Sequence, residues 1–179
     1  IVIPSGTHAR STELYSASTV KFEERWEDVW SPRLIRTKNG IKIDTPFSRT
    51  TGRGILMVGG MTPTTVSANI NAAVLNAGYL IELAGGGLHS EAGLRKRVNE
   101  ILAQLEPGNG LDLNGLFIDQ RRFGWQYPLW GQMRREGFPC KGFTVAAGIP
   151  STEKAKEIID GLKAAGIEYV GFKPGTADG

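Results

Sequence analysis

Three polar residues interrupt or end apolar runs of the sequence, and their types suit a binding site. Glu82 lies within YLIELA, Asn114 lies within LDLNGLFI, and Lys173 directly follows YVGF. A buried amide without a partner costs about 1–3 kcal/mol, and a buried charge costs more unless an opposite charge compensates it. We therefore expect Glu82 to pair with a basic residue, for which Lys173 is the simplest candidate.

Asn114 and Lys173 each have more than one possible role. The amide of Asn114 offers a donor and an acceptor, which suits the edge of a heterocyclic ligand, but it could equally be a core amide satisfied by the backbone. Lys173 could be a solvated lysine, a Schiff-base former, or a cation that stabilises negative charge on a cofactor.

Glycines collect where the apolar runs end. They are Gly59-Gly60, Gly85-Gly86-Gly87, Gly115, Gly148 and Gly175. Functional groups of parallel α/β folds gather at the carboxyl ends of the strands, and glycine lets a flat ligand approach the main chain closely. We interpret these glycines as a ligand platform. The simpler alternative is that turns between strands and helices favour glycine for its conformational freedom.

The elements that must position these residues form a repeating pattern from residue 54 onward. Apolar runs occupy 55–58, 79–84, 111–118, 142–147 and 169–172, and helical spacing follows in 66–74, 90–105, 129–135 and 151–162. Ser90 and Ser151 are the expected N-caps of the second and fourth helices, and Gly78 and Gly166 are expected to end the first and fourth. This alternation predicts an α/β fold of about five parallel strands and four helices, with the strands covered on both faces.

Residues 1–53 have a different pattern and predict a small irregular region that contains a hairpin. Asn39-Gly40 within LIRTKNGIKID supplies the two positive-φ residues of a type I′ turn. The segment FEERWEDVW could form one or two helical turns. We expect this region to be a lead-in to the α/β part at 54–179.

Composition argues against several classes of function. The formal net charge is +3 and the arginine clusters form no stripe interleaved with aromatic residues, so no nucleic-acid partner is predicted. No apolar run approaches the roughly 20 residues of a membrane span. The lone Cys140 suits a small buried filler in a reducing compartment, which predicts a cytoplasmic location, and the distant His8 and His89 predict no metal site. The sequence has neither a dinucleotide-binding glycine motif nor a P-loop.

Several long motifs resemble one known family. GGMTPTTVSANINAAVLNAGYLIELAGGG, REGFPCKGFTVAAGIPS and GFKPGT resemble the enoyl reductase domain in the β subunit of fungal type I fatty acid synthase. FEERWEDV and FSRTTGR resemble the lead-in to that domain. The likeness covers roughly residues 20 to 176.

The resemblance implies an FMN-binding (β/α)8 TIM barrel similar to bacterial flavin enoyl reductases and nitronate monooxygenases. NADPH would reduce the flavin, and the flavin would reduce a trans-2-enoyl thioester on the acyl carrier protein. The other domains and subunits of a large synthase would be further partners. By position, the implied cofactor-binding residues are Gly59, Gly60, Met61, Thr62, Asn114, Gly148 and Lys173. Asn114 would bond the isoalloxazine edge, and Lys173 would face its pyrimidine side.

The chain supplies about five of the eight strands of such a barrel. The resemblance places the catalytic group after Gly179, so we expect the chain to be a piece of a larger polypeptide and inactive alone. Two departures from the family pattern concern loops: Asp119-Gln120 replaces Asn-Pro, and His89-Ser90 replaces an aromatic-containing stretch. The alternatives are a nitronate monooxygenase-like flavin oxidase and a non-catalytic scaffold piece of a megasynthase.

Overall fold

The computed structural model describes residues 25–38 and 40–175 of the chain. It divides the chain between Ile55 and Leu56 into two compact units. The predictions for His8, for Asn39 and for the first residues of FEERWEDVW lie outside the described residues.

The first unit contains the predicted hairpin. A short helix α1 (Trp26–Val29) precedes strands β1 (Arg33–Thr37) and β2 (Gly40–Asp44), which pair antiparallel with Thr37 opposite Gly40. Helix α2 (Pro46–Thr51) follows. It begins with a capping box, in which Thr45 and Ser48 each accept the other's backbone N–H.

The second unit is an α/β layer around one parallel sheet. Its strands are β3 (Met57–Val58), β4 (Leu80–Ala84), β5 (Leu111–Leu116), β6 (Cys140–Ala146) and β7 (Tyr169–Lys173), and they lie side by side in chain order. Its helices are α3 (Ala68–Asn76), α4 (Glu91–Leu102), α5 (Gln120–Arg135) and α6 (Thr152–Ala164), with 3₁₀ turns at Thr64–Val66 and Gly85–Gly87. The sheet curls into half of a barrel, which confirms the predicted fold class.

The predicted helix boundaries hold where capping chemistry is clear. The side chains of Ser90 and Ser151 accept the backbone N–H groups of Gly93 and Lys154 at the starts of α4 and α6. Gly78 and Gly166 adopt φ of 85° and 90° just after α3 and α6. These left-handed conformations end the helices and favour glycine at both positions.

Helix α5 corrects the prediction of a less regular helix around 129–135. The helix begins at Gln120, nine residues earlier, because the side chain of Asp119 accepts the N–H of Arg122. Phe123, Gln126 and Trp130 share its buried face. Pro128 lies inside the helix, and this proline is the reason why the sequence suggested a later start.

The core lies between the sheet and the helices. The alternate strand residues Ile81, Leu83 and Phe143 and the helix residues Leu94 and Trp130 are fully buried within it. Cys140 is also fully buried, which confirms its predicted role as a small filler, and burial raises the pKa of its thiol to about 12.

Candidate functional site

Three strands of the parallel sheet, β4, β5 and β7, bring polar groups together on the sheet face opposite the helices. Glu82 at the centre of β4 is fully buried. The Nδ2 amide group of Asn114 in β5 donates to Glu82 Oε2 at 2.6 Å. Lys173, the last residue of β7, places Nζ 3.7 Å from the same oxygen. The expected pairing of Glu82 with Lys173 is confirmed.

Asn114 is satisfied by a side chain and not by the backbone. Because an ionised carboxylate can only accept, Glu82 orients the amide so that its nitrogen faces the carboxylate. The amide oxygen of Asn114 is then left to accept from another group. The buried amide therefore has a carboxylate partner in place of the backbone partner of the core-amide alternative, and its oxygen is compatible with a ligand edge.

Gly60 completes the cluster from the loop after β3. Its N–H donates to Glu82 Oε2 at 2.7 Å. A Cβ atom at this position would lie 2.5 Å from Asn114 Cβ and 2.6 Å from Asn114 Cγ. Glycine is therefore required here because the main chain packs directly on the asparagine side chain.

Lys173 lies at the opening of the cluster. Its side chain is 49% exposed, whereas that of Glu82 is 0% exposed, so solvent screens only one end of the ion pair. A Cβ atom on Gly59 would come within 3.4 Å of Lys173 Nζ. The structure thus brings Gly59, Gly60, Asn114 and Lys173 together around one buried carboxylate.

The remaining predicted site residues lie in loops at the carboxyl ends of the strands. Met61 is exposed after β3, and Thr62 lines an open groove with Gly87 and His89. Gly148, with φ of 152°, follows Ala147, whose φ of 56° is rare for a residue with a Cβ atom. The chain therefore turns sharply where it leaves β6.

Large apolar side chains are exposed in the same loops. Met61 after β3, Ile118 after β5 and Ile149 after β6 are 51%, 77% and 53% exposed. Apolar groups beside a few fixed polar groups are the usual lining of a small-molecule site.

The triple glycine packs closely against side chains of the protein. A Cβ atom on Gly85 would lie 2.6 Å from Gln126 Oε1, one on Gly86 would lie 2.8 Å from Leu116 Cδ1, and one on Gly87 would lie 2.4 Å from Val66 Cγ2. These three glycines make room for side chains of the protein itself, so close packing accounts for them without a ligand.

Gly115 has a similar structural role. A Cβ atom there would lie 2.7 Å from Phe143 Cζ and 3.2 Å from Phe123 Cδ2. Both aromatic residues belong to the core between sheet and helices. Gly115 therefore serves close packing on the helix side of the sheet.

Within the described residues, no cluster of three or more histidine, cysteine or acidic side chains could hold a metal ion. Among the helices of that part of the chain, none is long and apolar enough to cross a bilayer.

The chain is similar to segments of known proteins. The whole chain aligns with "Fatty acid synthase 2" from Mycosarcoma maydis at 51% identity over 180 residues. This alignment covers 5% of that protein. The chain is also 43% identical over 159 residues to a fatty acid synthase beta subunit of Emericella nidulans. That alignment covers 89% of the chain and 7% of the relative. The chain is homologous to a segment of fungal fatty acid synthases.

A similar match is found in Saccharomyces cerevisiae. The fatty acid synthase subunit beta of Saccharomyces cerevisiae is 38% identical over 178 residues, which span 98% of the chain and 8% of that protein. The chain therefore spans only 5–8% of the length of these three relatives. No protein-family model matches it.

Sequence reasoning missed one polar pair of this chain. The hydroxyl of Tyr169 in β7 lies 2.8 Å from Asp112 Oδ1 and 3.0 Å from Asp112 Oδ2 in β5. The signal was present, because Asp112 stands two residues before Asn114 in the same apolar run and so shares its face of the sheet. The partner could not be read from the sequence, since it lies two strands away.

Proposed function

We propose that the chain forms the first part of the FMN-binding enoyl reductase barrel of a fungal fatty acid synthase β subunit. The carrying observation is the convergence of Gly60, Asn114 and Lys173 on the buried carboxylate of Glu82, near the carboxyl ends of parallel strands. Ligands of parallel α/β barrels bind at this end of the strands. The homology to fatty acid synthases supports the proposal.

The cluster fits the pyrimidine edge of an isoalloxazine ring. That edge presents an N–H donor between carbonyl oxygens, and Asn114 offers an amide oxygen as acceptor beside the Lys173 ammonium. The exposed Met61, Ile118 and Ile149 would contact the flat faces of the ring. The proposed FMN-binding residues are Gly59, Gly60, Met61, Thr62, Asn114, Gly148 and Lys173.

The chain's own residues would bind and orient the reacting groups. When bound, FMN supplies hydride-carrier chemistry between NADPH and the β-carbon of an enoyl thioester on the acyl carrier protein. Lys173 would stabilise negative charge on the pyrimidine side, and its half-exposed position lets it reach a ligand. Gly59 would leave space beside Nζ, since a Cβ atom there would lie 3.4 Å from it.

The experiment uses the full-length synthase subunit that carries this segment, purified with its partner subunits. We expect flavin absorption in the purified protein and NADPH consumption with a crotonyl thioester. Oxygen uptake with nitroalkanes in place of crotonyl reduction would favour a nitronate monooxygenase-like oxidase. A colourless protein that binds no added FMN would contradict the proposal and favour a scaffold role.

A pair of matched variants links the activity to the site. Asn114→Ala removes the proposed ring contact, and Asn99→Ala makes the same change at an exposed position on α4. We expect crotonyl reduction to fall at least about tenfold in the first variant, which corresponds to about 1.4 kcal/mol, and to remain unchanged in the second.

A further inference from the structure

Glu82 is the residue on which the polar groups of this site converge. Its Oε2 atom accepts from the Gly60 N–H at 2.7 Å and from the Asn114 amide at 2.6 Å, and it lies 3.7 Å from Lys173 Nζ. The side chain is fully buried, so it cannot offer a surface to a ligand itself. It acts only through the three groups around it.

The stability of the fold does not explain this carboxylate. Its second oxygen, Oε1, is buried and accepts no hydrogen bond from any of the residues 25–38 and 40–175. A buried charge with half of its acceptors unused is destabilising compared with an apolar side chain of similar volume. The neighbours of Glu82 on the same face of β4, Leu80 and Ala84, are such apolar residues.

We propose that Glu82 is the positioning residue of the flavin site. Its carboxylate fixes which way the Asn114 amide points, holds the Gly60 main chain against that asparagine, and keeps the Lys173 ammonium at the opening. The result is an acceptor oxygen and a cation side by side, held before the ligand arrives. This inference rests on the proposed function and adds a residue to it.

The arrangement selects a ligand edge of defined chemistry. An acceptor beside a cation is complementary to an N–H group next to an oxygen or nitrogen that carries negative charge, as on the uracil-like edge of a reduced flavin. If the Asn114 amide turned over, its nitrogen would replace the acceptor and meet that N–H donor to donor. The negative charge of Glu82 prevents this, because the carboxylate accepts only from the amide nitrogen.

The test compares FMN affinities of the full-length protein after removal of its flavin, by titration of the quenching of FMN fluorescence. Glu82→Gln keeps the size of the side chain and removes the charge, so either amide orientation of Asn114 becomes possible. We expect FMN affinity to fall by about tenfold to a hundredfold, in the range of a charge-assisted hydrogen bond. Glu136→Gln makes the same change at an exposed glutamate that pairs with Arg95, and should leave the affinity unchanged.

A double-mutant cycle distinguishes positioning from a general structural effect. In an Asn114→Ala background, Glu82→Gln should have a clearly smaller effect than in the wild type, because one of the three groups that it positions is gone. Full additivity of the two substitutions would overturn the proposal. A wild-type affinity in Glu82→Gln, in a protein that does bind FMN, would overturn it as well.

A second variant keeps the inference testable if Glu82→Gln does not fold. Asn114→Asp retains an acceptor oxygen but sets a second carboxylate against Glu82, so we expect weaker FMN binding than in Asn114→Ala. Equal or tighter binding would show that Glu82 does not govern position 114. Failure of the wild-type protein to bind FMN at all would instead contradict the proposed function, so the two failures are distinguishable.

Discussion

The hydroxyl of Tyr169 reaches across Gly142 to the carboxylate of Asp112 and links β7 to β5 over the strand between them. The oxygen lies 2.8 and 3.0 Å from the two carboxylate oxygens. A Cβ atom on Gly142 would lie 2.2 Å from Tyr169 Cε2 and 2.6 Å from Asp112 Oδ1, so only glycine leaves a path. Asp112 is 3% exposed, and the pair lies one layer nearer the amino ends of the strands than Asn114.

Tyr169→Phe should therefore loosen the half-barrel locally. A hydrogen bond to a buried charged group contributes about 1.5–3 kcal/mol, and its loss should speed hydrogen exchange in β5 and β7 by roughly tenfold or more. Exchange measured by mass spectrometry on the full-length protein gives this result peptide by peptide. Tyr127→Phe is the matched control, because its hydroxyl meets Glu157 at 3.3 Å in an exposed position, and it should change exchange little.

Gly60→Ala should abolish the proposed flavin binding without unfolding the protein. The new methyl group would lie 2.5 Å from Asn114 Cβ, so the asparagine or the loop after β3 must move away from Glu82. We expect the purified variant to lose its flavin absorption while exchange in the core helix α4 stays normal. Retention of flavin with unchanged absorption would mean that the loop adapts and that its contact with Asn114 is not needed.

Gly161→Ala is the control for that substitution. Gly161 lies on the exposed side of α6, and a Cβ atom there would meet nothing within 4 Å. Alanine is favoured over glycine inside a helix by about 0.8–1 kcal/mol, so this variant should bind flavin normally and slow exchange in α6.

The features that could be predicted from the sequence depend mostly on local signals. Local signals gave the strands, the caps at Ser90 and Ser151 and the stops at Gly78 and Gly166, because each depends on a few adjacent residues. The pairing of Glu82 with Lys173 was also predictable, since a buried charge needs a partner and few candidates exist.

Contacts between distant strands were not predictable. Gly60 and Gly87 look alike in sequence, yet one packs on Asn114 within the site and the other on Val66 away from it. The early start of α5 was missed because Pro128 argues against a continuous helix, whereas the Asp119 cap and the buried face of Phe123 and Gln126 outweigh it.

Cys140 should resist alkylation in the folded protein. Burial raises the pKa of its thiol to about 12, from 9.0 in solution, so the reactive thiolate is scarce at pH 8. Iodoacetamide at pH 8 should label this residue only after denaturation, as measured by mass spectrometry of its peptide. Rapid labelling of the native protein would show that the strand opens or that the thiol is accessible.

The same pKa difference makes the stability of the protein depend on pH. The unfolded chain loses the thiol proton above about pH 9, whereas the folded chain keeps it to about pH 12. The unfolded state therefore binds fewer protons in this window, and the contribution of Cys140 to stability falls as the pH rises. Cys140→Ala should show a shallower loss of protection in β6 between pH 9 and pH 10.5 than the wild type.

Lys173→Met should make the proposed flavin harder to reduce. The substitution keeps an unbranched side chain and removes the cation 3.7 Å from Glu82, so the site gains net negative charge where the reduced ring carries its own. We expect the midpoint potential of bound FMN to fall by on the order of 30 mV or more, which for two electrons corresponds to about 1.4 kcal/mol. Because Lys173 is half exposed, we expect little change in stability, and exchange in β7 should stay close to that of the wild type.

Lys156→Met is the control, because it removes an exposed cation that pairs with Asp160 on α6. The midpoint potential of FMN in this variant should match that of the wild type. An unchanged potential in Lys173→Met would place this lysine away from the ring, and trapping of Lys173 by borohydride with a carbonyl substrate would favour Schiff-base chemistry at this residue instead.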